Sequence, residues 1–459
     1  MSIRRGRGNA GAKGSPETDG QERGRAGLLR SGMRAGNLFA AELLNRMKFN
    51  PIGRTVKASI LSLALALGVT ACSNDYTVSY VYMTTSKSLP HGLINAYQID
   101  YQSGYLYPMA DSPIDAGGRD TVGLVVAPGQ LFLYTVNNFD SDVTEFAIGT
   151  DGKLYPQNTY NITGSLPTAA AIDAAGKFLY VTFTYQNGPP TPANPYGTAL
   201  YTPANPGPGG ITIFPINKDN SLGTPTTVNV GRNPVGILTS PVGNYVYVIE
   251  QDSASSANLL GFQENATTGA LTQMPGVTIV AGNAPSIGFA SGATPSGLLE
   301  DPTGAHLYVT DQTLNQVATY AVGSNGVPSP VGTPTPTDAG PMGMAFDLNH
   351  TYLYVTAYAA NTLDGFAIGA NGVPVRSTVA GTVQTGTGPT CVTVSGAPSN
   401  ANPDHAVYLY TSNQLGGNLT GEQLKESDGS LYQIQGTPFG GSGLPTCAVT
   451  VPAFPYHSR

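Results

Sequence analysis

The chain of 459 residues has no tryptophan, three cysteines and five histidines, and only 11% of its residues are charged. An ordinary domain carries roughly a quarter charged residues. No His-x-His or Cys-x-x-Cys spacing occurs, so a structural zinc site is not expected. No EF-hand-like loop is present either, and neither a metal nor a cofactor is indicated, although scattered Asp could hold a divalent cation at a channel mouth. A Gly-x-Ser-x-Gly elbow is also missing, which argues against a serine hydrolase of α/β type. Cations are scarce where they would matter most. Residues 1–71 hold 12 of the 21 Lys and Arg and 4 of the 28 Asp and Glu, leaving 9 basic against 24 acidic groups in the rest. A body so acidic repels phosphate backbones, which excludes nucleic acid as a partner.

What is present is 58 Gly, 36 Pro, 25 Tyr and an apolar share of 40%. Val, Thr and Tyr suit pleated, half-buried surfaces. Patterns of helical period are scarce after the first seventy residues. The composition is that of an all-β protein with many turns.

The segment "MKFNPIGRTVKASILSLALALGVTACSN" begins at Met47. Lys48, Arg54 and Lys57 form a basic start, and Ala58 to Val69 a short apolar run. That run is too short to span a bilayer and has the layout of a secretory signal. Val69-Thr70-Ala71-Cys72 resembles a bacterial lipobox. The resemblance implies that Cys72 becomes the lipidated first residue of an exported envelope protein, anchored to a membrane through that residue. Ser73 rather than Asp follows, which is compatible with the outer membrane. Residues 1–46 read as a disordered extension or as sequence before the true start at Met47, and 47–71 as the signal peptide. The body is then 72–459.

The body repeats itself. A strand of the type Leu-Tyr-Val-Thr places a tyrosine at 82, 134, 180, 247, 308, 354 and 410. An apolar strand and a turn precede six of these, as in "VGLVVAPGQ" from Val122 and "VGILTSPVGN" from Val235. A seventh copy, "TCAVTVP" from Thr446, stands at the C-terminus with nothing after it. Each unit reads as four strands: A, then B with the tyrosine, then C ("VTEFAI"), then D ("KLYP"). Asp151-Gly152, Asn325-Gly326, Asn371-Gly372 and Asp428-Gly429 supply C–D turns. The body opens with B, C and D and closes with A. These spacings predict a seven-bladed β-propeller of four-stranded blades, with the C-terminal strand A completing the N-terminal blade. A ring closed in this way leaves no free edge at its seam.

The "FLYVT" strands, the Asp/Asn-Gly turns and the "GxxPxG" before strand A resemble the bacterial β-propeller lactonase family, which includes 6-phosphogluconolactonase-like proteins and overlaps with YVTN-type surface repeats. The resemblance covers nearly all of 76–454. It implies the propeller fold and a lactone-hydrolysing activity. The repeated residues are structural, so activity must be argued from a site.

The B–C and D–A loops share one face of such a propeller. Three residues after the tyrosines stand Thr85, Asn137, Phe183, Glu250, Asp311, Ala357 and Asn413. Arg119 in "GRDTVG" and Arg232 in "GRNPVG" occupy equivalent D–A positions. An Arg fork suits a carboxylate or phosphate. Glu250 or Asp311 is a candidate to activate water at a lactone carbonyl, with Arg stabilising the oxyanion. Asn137, Asn413 and His91, in the first B–C loop, are further candidates for ligand contact. The same residues also suit strand capping and turn bonding. His306, His350 and His405 precede strand B on the opposite face and read as turn residues. Two insertions, 184–210 with many Pro and Tyr and 273–295, extend a B–C and a D–A loop.

Cys391 and Cys447 occupy the same place in the last two A strands. Export would give an oxidising compartment, and a disulfide between them would clasp the seam, provided the Cα atoms lie within about 7 Å. Two function classes remain. One is an exported lactonase acting on a sugar lactone or related cyclic ester. The other is a non-catalytic envelope propeller binding a glycan or a protein partner. A monomer is expected in either case.

Overall fold

The computed structural model describes residues 77–86, 90–188, 207–253, 256–279, 286–395 and 406–453. The signal segment, Cys72, residues 1–46, His405 and most of the 184–210 insertion lie outside the described residues. The chain divides into two units, Met1–Asn74 and Asp75–Arg459, and the second is the propeller.

Seven antiparallel sheets form a ring. Blade 1 takes strands B, C and D from Thr77–Ser86, Leu93–Asp100 and Leu106–Pro108, and strand A from Leu444–Pro452. The closing pair is antiparallel, with Tyr82 opposite Val449 and Thr84 opposite Cys447. Blade 2 runs A to D as Thr121–Val126, Phe132–Asn137, Asp142–Ile148 and Leu154–Asn161. Blades 3 to 7 begin at strands A Gly164–Ile172, Pro234–Thr239, Pro295–Glu300, Pro341–Phe346 and Pro389–Ser395. The insertion at 273–295 is not a simple loop. Its strand Ser286–Gly292 pairs with strand C of blade 4 and with Val277–Ile279, extending that blade outward.

The core is distributed between blades. One cluster joins Tyr80, Tyr82 and Ile94 of blade 1 to Leu133, Phe146 and Leu154 of blade 2. Each middle strand is therefore covered on both faces, which explains why strands B read as almost unbroken apolar runs.

The repeated tyrosine has a specific task. Each of the seven is buried. Each phenol donates a hydrogen bond to a carbonyl in the C–D turn of the next blade. Tyr82 reaches Gly152 at 2.6 Å, Tyr134 Asn220 at 2.7 Å and Tyr180 Gly269 at 3.2 Å. Tyr247 reaches Gly326 at 2.7 Å, Tyr308 Gly372 at 2.8 Å, Tyr354 Gly429 at 2.7 Å and Tyr410 Gly104 at 2.6 Å. The last of these crosses the seam. Each accepting residue has a positive φ, between 68° and 79°, the left-handed region that Gly enters freely and Asn tolerates. The second reason for glycine is contact. A Cβ on Gly152 would lie 2.3 Å from the ring of Tyr80, and one on Gly372 2.4 Å from His306. The position two before the tyrosine is aromatic in every blade: Tyr80, Phe132, Phe178, Tyr245, His306, Tyr352 and Tyr408. His306 thus begins strand B of blade 5 as one of these rings, with Nδ1 on Asp301 at 3.0 Å. His350 stays in its A–B turn, edge-on to Phe346.

A second repeated feature sets the inner wall. Near the start of each strand A one residue, Pro in six blades and Thr121 in blade 2, faces the residue three after the tyrosine of strand B. A register shift follows in each blade. A bulge tolerates proline because it needs no ladder N–H there. Two residues on stand Gly123, Ala169, Gly236, Gly297, Gly343, Cys391 and Cys447. Neighbouring inner strands approach closely at two of these places: a Cβ on Gly297 would sit 2.2 Å from the Met342 carbonyl of the next blade, and one on Gly343 2.7 Å from that of Thr390. Cys391 and Cys447 share this position, so their Cα atoms lie 5.0 Å apart and a disulfide joins blades 7 and 1. Closing a loop of 56 residues removes about 4 kcal/mol of unfolded-state entropy in the chain model.

One blade breaks the pattern. Opposite the residue before the tyrosine, strand C carries Tyr97, Phe146, Phe214, Phe262, Tyr320 and Phe366 in blades 1 to 6. In blade 7 that place, opposite Leu409, is Glu422. Its side chain is buried, and neither carboxyl oxygen has a hydrogen-bond partner. Burial pushes its pKa up to about 8.

Two measurements test this description. Removing the Tyr354 hydroxyl (Tyr354→Phe) leaves the Gly429 carbonyl unpaired and is expected to lower urea-unfolding stability by about 1–2 kcal/mol. Glu422 binds its proton more tightly folded than unfolded, so the stability it contributes is complete below pH 4.5 and is lost as pH rises through about 8. Glu422→Phe is expected to flatten that part of the stability–pH curve and raise the urea midpoint at pH 8; an unchanged curve would contradict the assignment.

Candidate active site at the propeller mouth

The B–C loops and D–A connections meet at one end of the ring. In four short B–C turns the chain bends through a left-handed residue: Ser141, Asn315, Asn361 and Gly417. Above blades 1 and 2 these segments bring titratable groups together. His91 lies just before strand C of blade 1. The short strand Ile114–Asp115 pairs with Leu93 and Ile94, which places Asp115 beside it. His91 Nδ1 lies 2.8 and 2.9 Å from the two Asp115 carboxylate oxygens. The Gly117 N–H also donates to Asp115, at 2.8 Å. An ionised carboxylate only accepts, so Nδ1 donates and Nε2 is the basic ring nitrogen. The pair is open to solvent, with side-chain exposures of 41% and 59%.

Arg119 stands in the adjoining D–A connection. Its backbone N–H donates to Asp140 at 2.7 Å, its Nε donates to the same carboxylate at 2.8 Å, and its terminal nitrogen bonds there too. The guanidinium carbon lies 4.1 Å from the centre of the Phe139 ring. Burial raises the Asp140 pKa, but the hydrogen bonds from Arg119 outweigh it and hold the carboxyl below its ordinary value. Asp142 is more deeply buried, and desolvation pushes its pKa up to about 6 against the bond from Asn137. Asn137 is buried and fully engaged. It accepts from Thr121 Oγ1 at 2.8 Å and donates to Asp142 at 2.8 Å and to Thr144 at 3.2 Å.

A second polar cluster lies at the mouth end of blade 4. Glu250 is buried beneath Gly231, where a Cβ would meet its carboxylate at 2.3 Å. Asn258 Nδ2 donates to Glu250 at 3.3 Å and to Asp252. Burial raises the Asp252 pKa, opposed by Asn258 and by the backbone N–H of Arg232. Arg232 Nε is buried without a hydrogen-bond partner.

The remaining candidates sit in loop-holding roles. Asp311 is buried and accepts four backbone N–H bonds, from Ala293 and Thr294 on one oxygen and from Thr313 and Leu314 on the other. Asn413 donates to Asn418 at 2.8 Å and Thr420 at 2.7 Å. Asp311 is thus a buried pin between two mouth loops, and Asn413 ties strand B to strand C of its own blade. Asp115, Asp140, Asp252 and Asn258 were not singled out from the sequence; the packing of neighbouring connections brings Asp115 to His91 and Asp140 to Arg119, and Asn258 reaches Glu250 as its cross-strand partner. Among the described residues no group of three or more His, Cys, Asp or Glu is arranged to hold a metal ion.

Residues 291–445 match the family model described as Lactonase, 7-bladed beta-propeller. No curated protein matches the chain. Among solved structures, the periplasmic gluconolactonase of Pseudomonas aeruginosa is similar with a TM-score of 0.62 at 16% identity, over 82% of this chain and 99% of that one. A candidate 6-phosphogluconolactonase from Bacteroides fragilis NCTC 9343 gives 0.62 at 17%, over 83% and 99%. A protein from Lactobacillus plantarum gives 0.61 at 18%, over 82% and 100%. At such identities the likeness is one of fold. The ring of seven blades and its closure make the body a seven-bladed β-propeller, and its blades 5 to 7 are similar to the lactonase family.

Proposed function

We propose that the mouth above blades 1 and 2 hydrolyses a sugar lactone or related cyclic ester, with His91 as general base. The observation that carries this reading is the exposed His91–Asp115 pair. In this reading His91 Nε2 takes a proton from water as the water oxygen attacks the lactone carbonyl. Asp115 holds the ring and stabilises the imidazolium. The ring C–O bond then breaks, and the proton passes from His91 to the leaving alkoxide, giving a hydroxy acid. Arg119 is positioned by Asp140 and Phe139, and its remaining N–H donors suit the developing oxyanion or the product carboxylate. The buried Glu250 and Asp311 are less suited to meet a substrate than the solvent-facing histidine. The match of residues 291–445 to the lactonase family model and the fold shared with a gluconolactonase support the reaction class.

The basic and apolar leader and the lipobox-like run support a second part of the proposal: the protein is exported and carries lipid on Cys72. A non-catalytic propeller binding a glycan or protein is the competing reading, favoured by the internal bonding of Arg119, Asp311 and Asn413.

In a pH-stat assay on a panel of sugar lactones, His91→Asn is expected to lower kcat by roughly 10²–10⁴-fold, and Asp115→Asn by a smaller factor. Full turnover by His91→Asn, or none by the wild type, would contradict the site or the activity respectively. Cys72→Ser is expected to abolish incorporation of labelled palmitate and to release the protein from the membrane fraction.

A further inference from the structure

The position of Cys72 in the chain, together with the direction of the first strand, determines which way the propeller faces. Cys72 precedes Thr77 by five residues. Fully extended, that stretch spans at most about 18 Å. Thr77 is the first residue of strand B in blade 1 and pairs with Asp100 at the end of strand C. It therefore lies at the end of the ring where the A–B and C–D turns are. The mouth is at the other end, beyond Ser86. Ten residues of strand separate the two faces, about 30 Å at roughly 3.3 Å per residue. A tether of about 18 Å leaving the A–B end cannot bring the mouth to the surface that holds its lipid.

The A–B end is suited to such a surface. Its turns expose Leu131, Val242 and Leu348, at 46%, 50% and 37%. Among the five described A–B turns, Asp173 and Asp347 are buried and Asp301 is bonded to Thr303, Ala305 and His306, which leaves Lys177 as the exposed charge. The C–D turns outside them carry both signs, including Lys153, Asp219, Lys425 and Asp428. The mouth also exposes apolar side chains, Phe139, Leu314 and Leu415, so exposure does not choose between the ends; tether length does.

We propose that the A–B turn face is the membrane-facing base of this protein, resting on a lipid bilayer with Leu131, Val242 and Leu348 at the headgroup layer. The mouth and its His91–Asp115 pair then open away from the membrane, toward soluble substrate. The inference rests on the lipidation of Cys72 put forward above, and it concerns orientation, which that reading leaves open.

Because Cys391 and Cys447 are bonded to each other and Cys72 would be blocked by lipid, single introduced cysteines can be labelled selectively. The full chain would be expressed in a bacterial host with Val242→Cys (base), Leu415→Cys (mouth) or Val375→Cys (outer edge of blade 6). Each variant would be labelled with an environment-sensitive fluorophore and reconstituted into phosphatidylethanolamine–phosphatidylglycerol vesicles carrying headgroup nitroxides. Quenching at position 242 is expected to exceed that at 375 and 415 at least threefold. Mass spectrometry of the N-terminal peptide separates the two readings. An unlipidated Cys72 overturns both. A lipidated Cys72 with equal quenching at all three positions, or strongest quenching at 375 or 415, overturns the orientation alone.

Discussion

The hydrogen bond from each strand-B tyrosine to the next blade's C–D turn is the constraint on which the ring depends. A four-stranded blade alone exposes two apolar faces and two edges. The phenol ties a buried face of one blade to a backbone carbonyl of its neighbour, and burial holds the phenols of Tyr82, Tyr180 and Tyr354 well above their ordinary pKa. They are donors at any ordinary pH. The receiving turn must be left-handed and flush with an aromatic ring, so the sequence repeats glycine there. The seam uses the same bond as every other junction, through Tyr410 and Gly104, with a disulfide added on its inner side.

Close approach of the inner strands has a consequence for function. At Gly297 and Gly343 even a Cβ would meet the backbone of the next blade, at 2.2 and 2.7 Å. Chemistry is therefore assigned to the connections above this ring, where the chain is free of the repeat. His91, Asp115, Arg119 and Asp140 all lie there. Asn137, Asp311 and Asn413, each three residues after a tyrosine, lie buried just below and hold the mouth in shape. Support and chemistry are separated by a few residues of sequence.

That separation explains what could be read without coordinates. The tyrosine register, the Asx-Gly turns and the orphan strand A at the C-terminus carried the blade count and the closure, because each repeats or has a unique partner. The cysteine pair shared a repeat position, but the distance between adjacent inner strands had to be seen. Asp311 has the residue type of a catalyst and the environment of a turn anchor, and only its four amide partners distinguish them. Asp115 is one of two acids in "SPIDAGGRD". Nothing in the periodicity marks it, because its partner His91 is reached through pairing of a short edge strand. Glu422 was equally invisible, since its oddity appears only when strand C is aligned across all seven blades.

The most direct test of the account is a crystal structure of the protein with a sugar lactam, an unhydrolysable mimic of a sugar lactone, at saturating concentration. The account predicts the lactam carbonyl above blades 1 and 2, with its carbon near His91 Nε2 and its oxygen within hydrogen-bonding distance of an Arg119 N–H. A lactam bound at the blade 4 cluster of Arg232, Asp252 and Asn258, with the His91–Asp115 pair untouched, would contradict it.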